Sequence, residues 1–304
     1  MQILSQISQK ISPKKASSFF ASLAAFGLVL SASFGALNAA PQADSKVVDS
    51  KAAESKADSK VAESKAQKEL KVGATPIPHA QILRFVAPML QEKGVTLKIV
   101  EFTDYVMPNL ALAEKSIDAN FMQHKPFLDK ISKDRNLDLL SIAQIHIEPI
   151  GGYSARIKDI KELKNGATVM IPNDPTNGGR ALILLHNSGL ITLKDPNNLS
   201  ATSSDIIQNP KKLKIKALEA ALLPKVLKDA DLAIINGNYA MQVNLTTKDA
   251  LILEDSRSPY ANILVVRKGD ESRADIQALK EVLQSEATKK FIIDTYKGEV
   301  IPAF

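Results

Sequence analysis

The sequence predicts an α/β protein built as two lobes, each with a mostly parallel sheet covered by helices, and three observations point there. From residue 70 onward, short apolar strand candidates alternate with amphipathic helical stretches, the order that produces parallel sheets buried on both faces. The pattern runs for about 235 residues, more than one sheet usually organises, so two lobes with a cleft between them are the economical arrangement. The third observation is the segment Ile171–Leu182, IPNDPTNGGRAL, which sets a strand end, a turn and a helix start around one arginine.

Other sequence precedes that module. Lys10, Lys14 and Lys15 come before an uncharged stretch from Ala16 to Ala40 whose apolar centre is FFASLAAFGLVL, the layout of a secretory signal. Residues 1–40 are therefore expected to direct export. Ala39 or Ala40 suits the last position before a cleavage site, but Leu37 or Asn38 then occupies the place that prefers a small side chain. A retained signal anchor is the other reading, because the apolar stretch nears the length that spans a bilayer. Between Asp44 and Lys65 the triplet Asp/Glu-Ser-Lys recurs, beginning at Asp44, Asp49, Glu54, Asp58 and Glu63. With balanced charge and no aromatic residue it cannot bury a core, so residues 41–69 read as a tether. If flexible, it reaches roughly 30 Å.

The elements of the module follow in order. KVGA from Lys71 reads as a strand; after the TPIP turn comes a helix with Ile82, Phe85, Val86, Met89 and Leu90 on one face and Gly94 beyond its end. Pro88 is expected to kink that helix. TLKIVEF is a strand, DYVMPNLALAEKS a turn and helix, FLDKISKDR part of a helix and LLSIAQIHI a strand. ATVMIP, ALILLHNSG, LKIKAL, Asp231–Ile235 and ILVVRK continue the alternation, until a single closing helix from Asp275 to Tyr296.

Within IPNDPTNGGRAL, Pro172, Asn173, Asp174 and Pro175 break the strand, and Thr176 or Asn177 can cap the next helix. That places Arg180 in the first helical turn. There its guanidinium, the free backbone N–H groups and the positive end of the helix dipole converge on a volume that suits a carboxylate. The same residues also read as an ordinary turn followed by a solvated arginine.

Composition removes several function classes. The chain contains no cysteine, which excludes disulfides, thiolate metal sites, a cysteine nucleophile and lipid attachment through cysteine. The formal net charge is +6, and three of those charges belong to Lys10, Lys14 and Lys15. The remaining excess is scattered apart from the run Lys211–Lys216, and no aromatic residues interleave with it, so no nucleic-acid partner is expected. A Gly-x-Ser-x-Gly elbow, a phosphate-binding Walker loop and a dinucleotide glycine fingerprint are all missing. His79, His124, His146 and His186 form no paired helical metal motif, and nothing in the spacing of Glu101, Asp104 and Asp174 marks an acid/base pair. No cofactor, no metal and no catalysis are expected.

Six segments, taken together, resemble the methionine-binding NlpA-type lipoprotein family, the solute-binding components of bacterial ABC importers. They are VGATPIPHAQIL from Val72, EFTDYVMPNLAL from Glu101, QHKPFLD from Gln123, IPNDPTNGGRAL from Ile171, INGNYA from Ile235 and DSRSPYAN from Asp255. The resemblance covers residues 70–304. It implies a type II periplasmic binding fold, with two lobes joined by two crossing segments and closing on a ligand like a hinge. Lobe 1 would take residues 71–155 with 256–304, and lobe 2 residues 156–255.

By the same resemblance the ligand is methionine or a related small amino acid or dipeptide, and the partner is an inner-membrane ABC importer permease served by a monomer. Arg180 would hold the ligand carboxylate, Asn236 would satisfy the zwitterion's polar atoms, and Asn177 would assist on the second lobe. Tyr105 and His124 match ring-bearing positions of the side-chain pocket, where a thioether packs well against rings. Read without the family, Tyr105 is a core aromatic, His124 a helix-start histidine and Asn236 a turn residue.

The chain departs from the family in two places. It has no lipobox cysteine, so the tether hangs from an uncleaved signal helix or the mature protein is free in the periplasm. Met122 stands directly before Gln-His-Lys, where the family commonly has phenylalanine, and Phe121 lies one place earlier. Neighbouring residues on a strand face opposite ways, so a differently shaped pocket is expected. Two other function classes remain open at this stage. One is an exported surface or adhesion protein whose two-lobe module is not used in transport, and the other is an enzyme that turns over a bound small molecule.

Overall fold

The computed structural model describes residues 68–255 and 258–304; the expected export signal and the tether up to residue 67 lie outside the described residues. Strand β1 (Lys68–Ala74) buries Leu70, Val72 and Ala74 by simple alternation. Helix α1 (Gln81–Glu92) buries Ile82, Leu83, Val86 and Leu90, runs on through Pro88 and ends before Gly94, which adopts a positive φ of 79°. Strand β2 (Val95–Glu101), helix α2 (Met107–Ala113), strand β3 (Ala119–His124), helix α3 (Lys125–Arg135) and strand β4 (Leu139–Ile147) complete the first pass through the first lobe.

The chain then enters a second sheet. Strand β5 (Gly151–Tyr153) precedes β6 (Thr168–Pro172), helix α4 (Pro175–Asn187) and a small separate ribbon of β7 (Thr192–Leu193) with β8 (Ile206–Gln208). Strands β9 (Lys214–Leu218) and β10 (Leu232–Ile235), helix α5 (Gly237–Gln242) and β11 (Ile252–Leu253) finish this lobe. The chain returns through β12 (Asn262–Arg267), α6 (Ala274–Leu283), α7 (Glu286–Tyr296) and β13 (Ile301–Pro302).

The first sheet has strand order β13-β4-β12-β3-β1-β2 and the second β11-β5-β10-β6-β9. The chain passes between them twice, at residues 148–150 and again between β11 and β12. The first passage precedes the expected lobe boundary at 155, because β5 already pairs with β10 and β11 of the second sheet.

Both sheets are mixed, not mostly parallel. β1 runs parallel to β2 and β3, but β12 is antiparallel to β3 and β4; β10 is parallel to β6 yet antiparallel to β5. The topology requires this, since a strand leaving for the other lobe and one returning from it must point opposite ways. The expected closing helix is two helices. Ser285 accepts a hydrogen bond from the Thr288 amide and caps α7, so a new helix starts there. The short strands β5, β7, β8, β11 and β13 had no sequence counterpart, as two or three residues carry too little periodicity to be read.

Both faces of each sheet are covered, as the apolar strands required. Along β12, Leu264 and Val266 enter one core while Ile263 and Val265 enter another. β10 does the same, with Leu232 and Ile234 on one side and Ala233 and Ile235 on the other. Among the described residues no helix is long and apolar enough to cross a membrane.

Candidate ligand-binding cleft

Loop and strand-end residues from both sheets meet in one cleft, and all five sequence-nominated residues, Arg180, Asn236, Tyr105, His124 and Asn177, line it. The first lobe contributes His79 after β1, Tyr105 before α2, Met122, Gln123 and His124 at the end of β3, Phe127 on α3 and Asn262 at the start of β12. The second lobe contributes Asn177 and Arg180 from α4, Asn236 between β10 and α5, and Gly237 and Asn238 in the first turn of α5; Glu148 lies on the first passage. The cavity these residues enclose has a volume of only about 20 Å³. It is a narrow slot, and a ligand of amino-acid size enters only when side chains or lobes move apart.

The α4 terminus differs from its sequence reading. Asp174, not Thr176 or Asn177, is the N-cap: its carboxylate accepts from the Asn177 backbone N–H at 2.9 Å, and Pro175 begins the helix. Arg180 is therefore in the second turn, and the free amides expected beside it are served by Asp174. Arg180 is 4% exposed. Its Nε donates to Glu254 Oε1 at 2.8 Å, and Nη2 donates to Glu254 Oε2 and to the Glu148 carbonyl oxygen at 2.8 Å. The guanidinium lies over the Tyr260 ring, 4.3 Å from its centroid. Burial alone would favour the neutral form, but the Glu254 carboxylate outweighs it and keeps the group charged. Nη1 has no partner among the described residues. One side chain thus ties α4 to both passages between the lobes.

The amide orientations follow from Asp174, because a carboxylate only accepts. Asn177 must turn Nδ2 toward it, at 3.0 and 3.1 Å, which leaves Asn177 Oδ1 to accept from Asn236 Nδ2 at 2.8 Å. The same oxygen accepts from His124 Nε2 at 3.1 Å, and His124 Nδ1 accepts from the Phe127 amide as the cap of α3. That pair of bonds makes His124 the neutral tautomer with its proton on Nε2. Its pKa is lowered to about 3, mainly by burial and then by Arg180. Asn236 Oδ1 is left buried without a partner. Tyr105 donates to Asn238 Oδ1 at 2.6 Å, leaving Asn238 Nδ2 likewise unpartnered, and burial holds the Tyr105 hydroxyl protonated.

Rings line the other side of the slot. Tyr105 packs near Phe127 at 5.9 Å and Tyr239 at 5.0 Å between centroids, and His124 meets Tyr260 edge-on at 4.9 Å. Met122 faces the cleft, while Phe121 turns into the core of the first lobe and touches the His79 and His146 rings. The family's phenylalanine position is thus filled by a flexible thioether, and the strand register is kept.

Sequence reasoning missed Glu148, His79, Asn238, Asn262 and Tyr260. Four of these stand inside the resembling segments and were legible there, but Glu148 falls between segments and carries no local pattern. Among the described residues His79, His146 and Glu148 are the one group that brings three metal-ligating side chains together, their ligand atoms lying within 4.8 Å of one another. The sequence gave no sign of it, because His79 lies 67 positions before His146 and 69 before Glu148.

The model of the NlpA lipoprotein family matches residues 70–304, the whole two-lobe module. The chain belongs to the NlpA lipoprotein family. Among similar relatives, the methionine-binding lipoprotein MetQ of Bacillus subtilis is 44% identical over 242 residues, covering 78% of this chain and 88% of the relative. The D-methionine-binding lipoprotein MetQ of Salmonella typhi is 43% identical over 236 residues, with 76% and 87% covered. A nutrient binding protein from Burkholderia cenocepacia, solved bound to methionine, superimposes with a TM-score of 0.75 at 43% identity, covering 77% of this chain and 100% of that one. The NlpA module and its two-lobe α/β architecture are therefore shared with solute-binding relatives.

Proposed function

We propose that this chain captures methionine, or a methionine-like amino acid, between its lobes and presents it to a membrane-embedded ABC importer without making or breaking a covalent bond. One observation carries the reading: a buried arginine, held charged, opens onto a slot whose opposite wall is aromatic and whose amides leave one acceptor and one donor unpartnered. Arg180 Nη1 and Asn238 Nδ2 suit a carboxylate, Asn236 Oδ1 suits an ammonium, and Tyr105, His124 and Phe127 suit a thioether side chain. Asn177 acts by fixing the Asn236 amide. Relatives named as methionine-binding lipoproteins along the full module favour solute capture over an exported adhesion role. The export signal, the tether and the absence of cysteine support a periplasmic protein held, if at all, by its signal helix.

Thermal denaturation of the full chain with each of the common amino acids tests this. Binding to the native state stabilises by RT ln(1 + [L]/Kd), about 2.7 kcal/mol at a hundredfold excess over Kd, so methionine should raise the melting temperature by several degrees. A flat response to every amino acid and dipeptide would return the surface-protein reading. Recovery of methionine unchanged after long incubation would count against turnover.

A further inference from the structure

We propose that Glu148 is the acceptor for the α-ammonium group of the captured amino acid, and so the group that restricts the cleft to ligands with a free amine. The assignment rests on the function proposed above. Glu148 is 5% exposed, sits on the first passage between the lobes and faces the same slot as Arg180. Its Oε1 accepts from His146 Nε2 at 2.6 Å, the Asn238 backbone N–H also donates to it, and His79 Nε2 stands 3.4 Å away. These are hydrogen bonds without formal positive charge. His79 receives the Thr75 hydroxyl at Nδ1 (2.7 Å) and gives its Nε2 proton to Asn262 Oδ1 (3.0 Å), which is the neutral tautomer. Arg180 touches Glu148 only at the backbone carbonyl, its charge being matched by Glu254.

A buried carboxylate is therefore oriented by donors but has no lysine or arginine ion-paired with it among the described residues. Such a group is costly unless a cation arrives with the ligand. The second observation is the unpartnered Asn236 Oδ1 at the start of α5, lining the same slot: an ammonium carries three donors, and one acceptor on the first passage and one on the second lobe are available to it. A divalent metal is the competing cation, since His79, His146 and Glu148 lie together. The bonding of His79 decides against it, because both ring nitrogens are occupied and the one nearest Glu148 holds a proton rather than a lone pair.

The test is a cycle of two ligands and two proteins by calorimetry on the full chain, with EDTA present. The ligands are methionine and 4-(methylsulfanyl)butanoate, which lacks only the ammonium. Wild type should prefer methionine by at least about 100-fold, and Glu148→Gln should weaken methionine by about 10- to 100-fold while leaving the desamino ligand unchanged or tighter. A full preference retained in Glu148→Gln overturns the assignment while leaving methionine capture intact. Loss of wild-type methionine binding in EDTA overturns it in favour of the metal. If the variant does not fold, wild type alone decides: desamino binding within about threefold of methionine removes the ammonium contact. Failure of wild type to bind methionine with or without EDTA removes the proposed function and this assignment together.

Discussion

Arg180 and the chain of amides that begins at Asp174 show how a polar site is specified one bond at a time. Because Asp174 can only accept, the orientation of Asn177 follows, and with it that of Asn236. Asn236→Ala removes the buried acceptor and the contact to Asn177, so methionine affinity should fall about tenfold by calorimetry, with a stability loss of about 1 kcal/mol. Unchanged affinity would remove Asn236 from the ligand contacts.

The buried histidines make a second prediction. His79, His124 and His146 are lowered from 6.5 to about 4, 3 and 3, in each case chiefly by burial, so below pH 6.5 the unfolded chain takes up protons that the native one refuses. Stability must then be lost as pH falls from 6.5 toward 4. Glu148, raised by burial, works the other way, because the native state holds its proton first. The three histidine protons set a slope of at most about 4 kcal/mol per pH unit, which the opposing shift of Glu148 reduces. Urea midpoints at pH 7, 6 and 5 should fall accordingly; a flat profile would mean that these rings are open to protonation in the fold. At this scale the legible residues were those inside family-like segments. Glu148 was invisible because the burial of a carboxylate depends on strands and turns more than 60 residues away, and no local pattern records that.

Elements position the site through their ends. His124 caps α3, Asp174 caps α4, and Asn236 precedes α5, so three helix starts face the cleft. Asp174→Ala should cost about 1 kcal/mol through the lost cap. It also frees the Asn177 amide to rotate, so methionine binding should weaken several-fold, a double effect that a purely structural cap would not produce. Denaturation and calorimetry on the same preparation separate the two. Most strands and helices were readable from alternation and helical period, including β12, whose successive residues enter opposite cores. What escaped was set by tertiary context: the direction of returning strands, the break at Ser285, and ladders of two or three residues such as β11 and β13.

At the scale of the molecule, the chain passes between the lobes twice, after β4 and again after β11, hydrogen bonds such as His124–Asn177 and Tyr105–Asn238 also cross between them, and the slot they enclose is too narrow to receive an amino acid as it stands. Entry requires opening, and capture should favour the closed form. Small-angle scattering of the full chain should therefore give a smaller radius of gyration with saturating methionine than without; identical profiles would mean that side-chain motion alone admits the ligand.

Arg180 holds the first passage through the Glu148 carbonyl and the second through Glu254 and Tyr260. The cargo's anchor is thus also the pin of the joint, and whatever neutralises that guanidinium pulls on both straps at once. A reagent built from this scaffold for another nutrient would do well to leave the arginine alone and alter Met122 or Phe127 on the far wall. A new residue at position 180 would change the resting angle of the jaws along with their grip, and a weaker signal could not then be blamed on either.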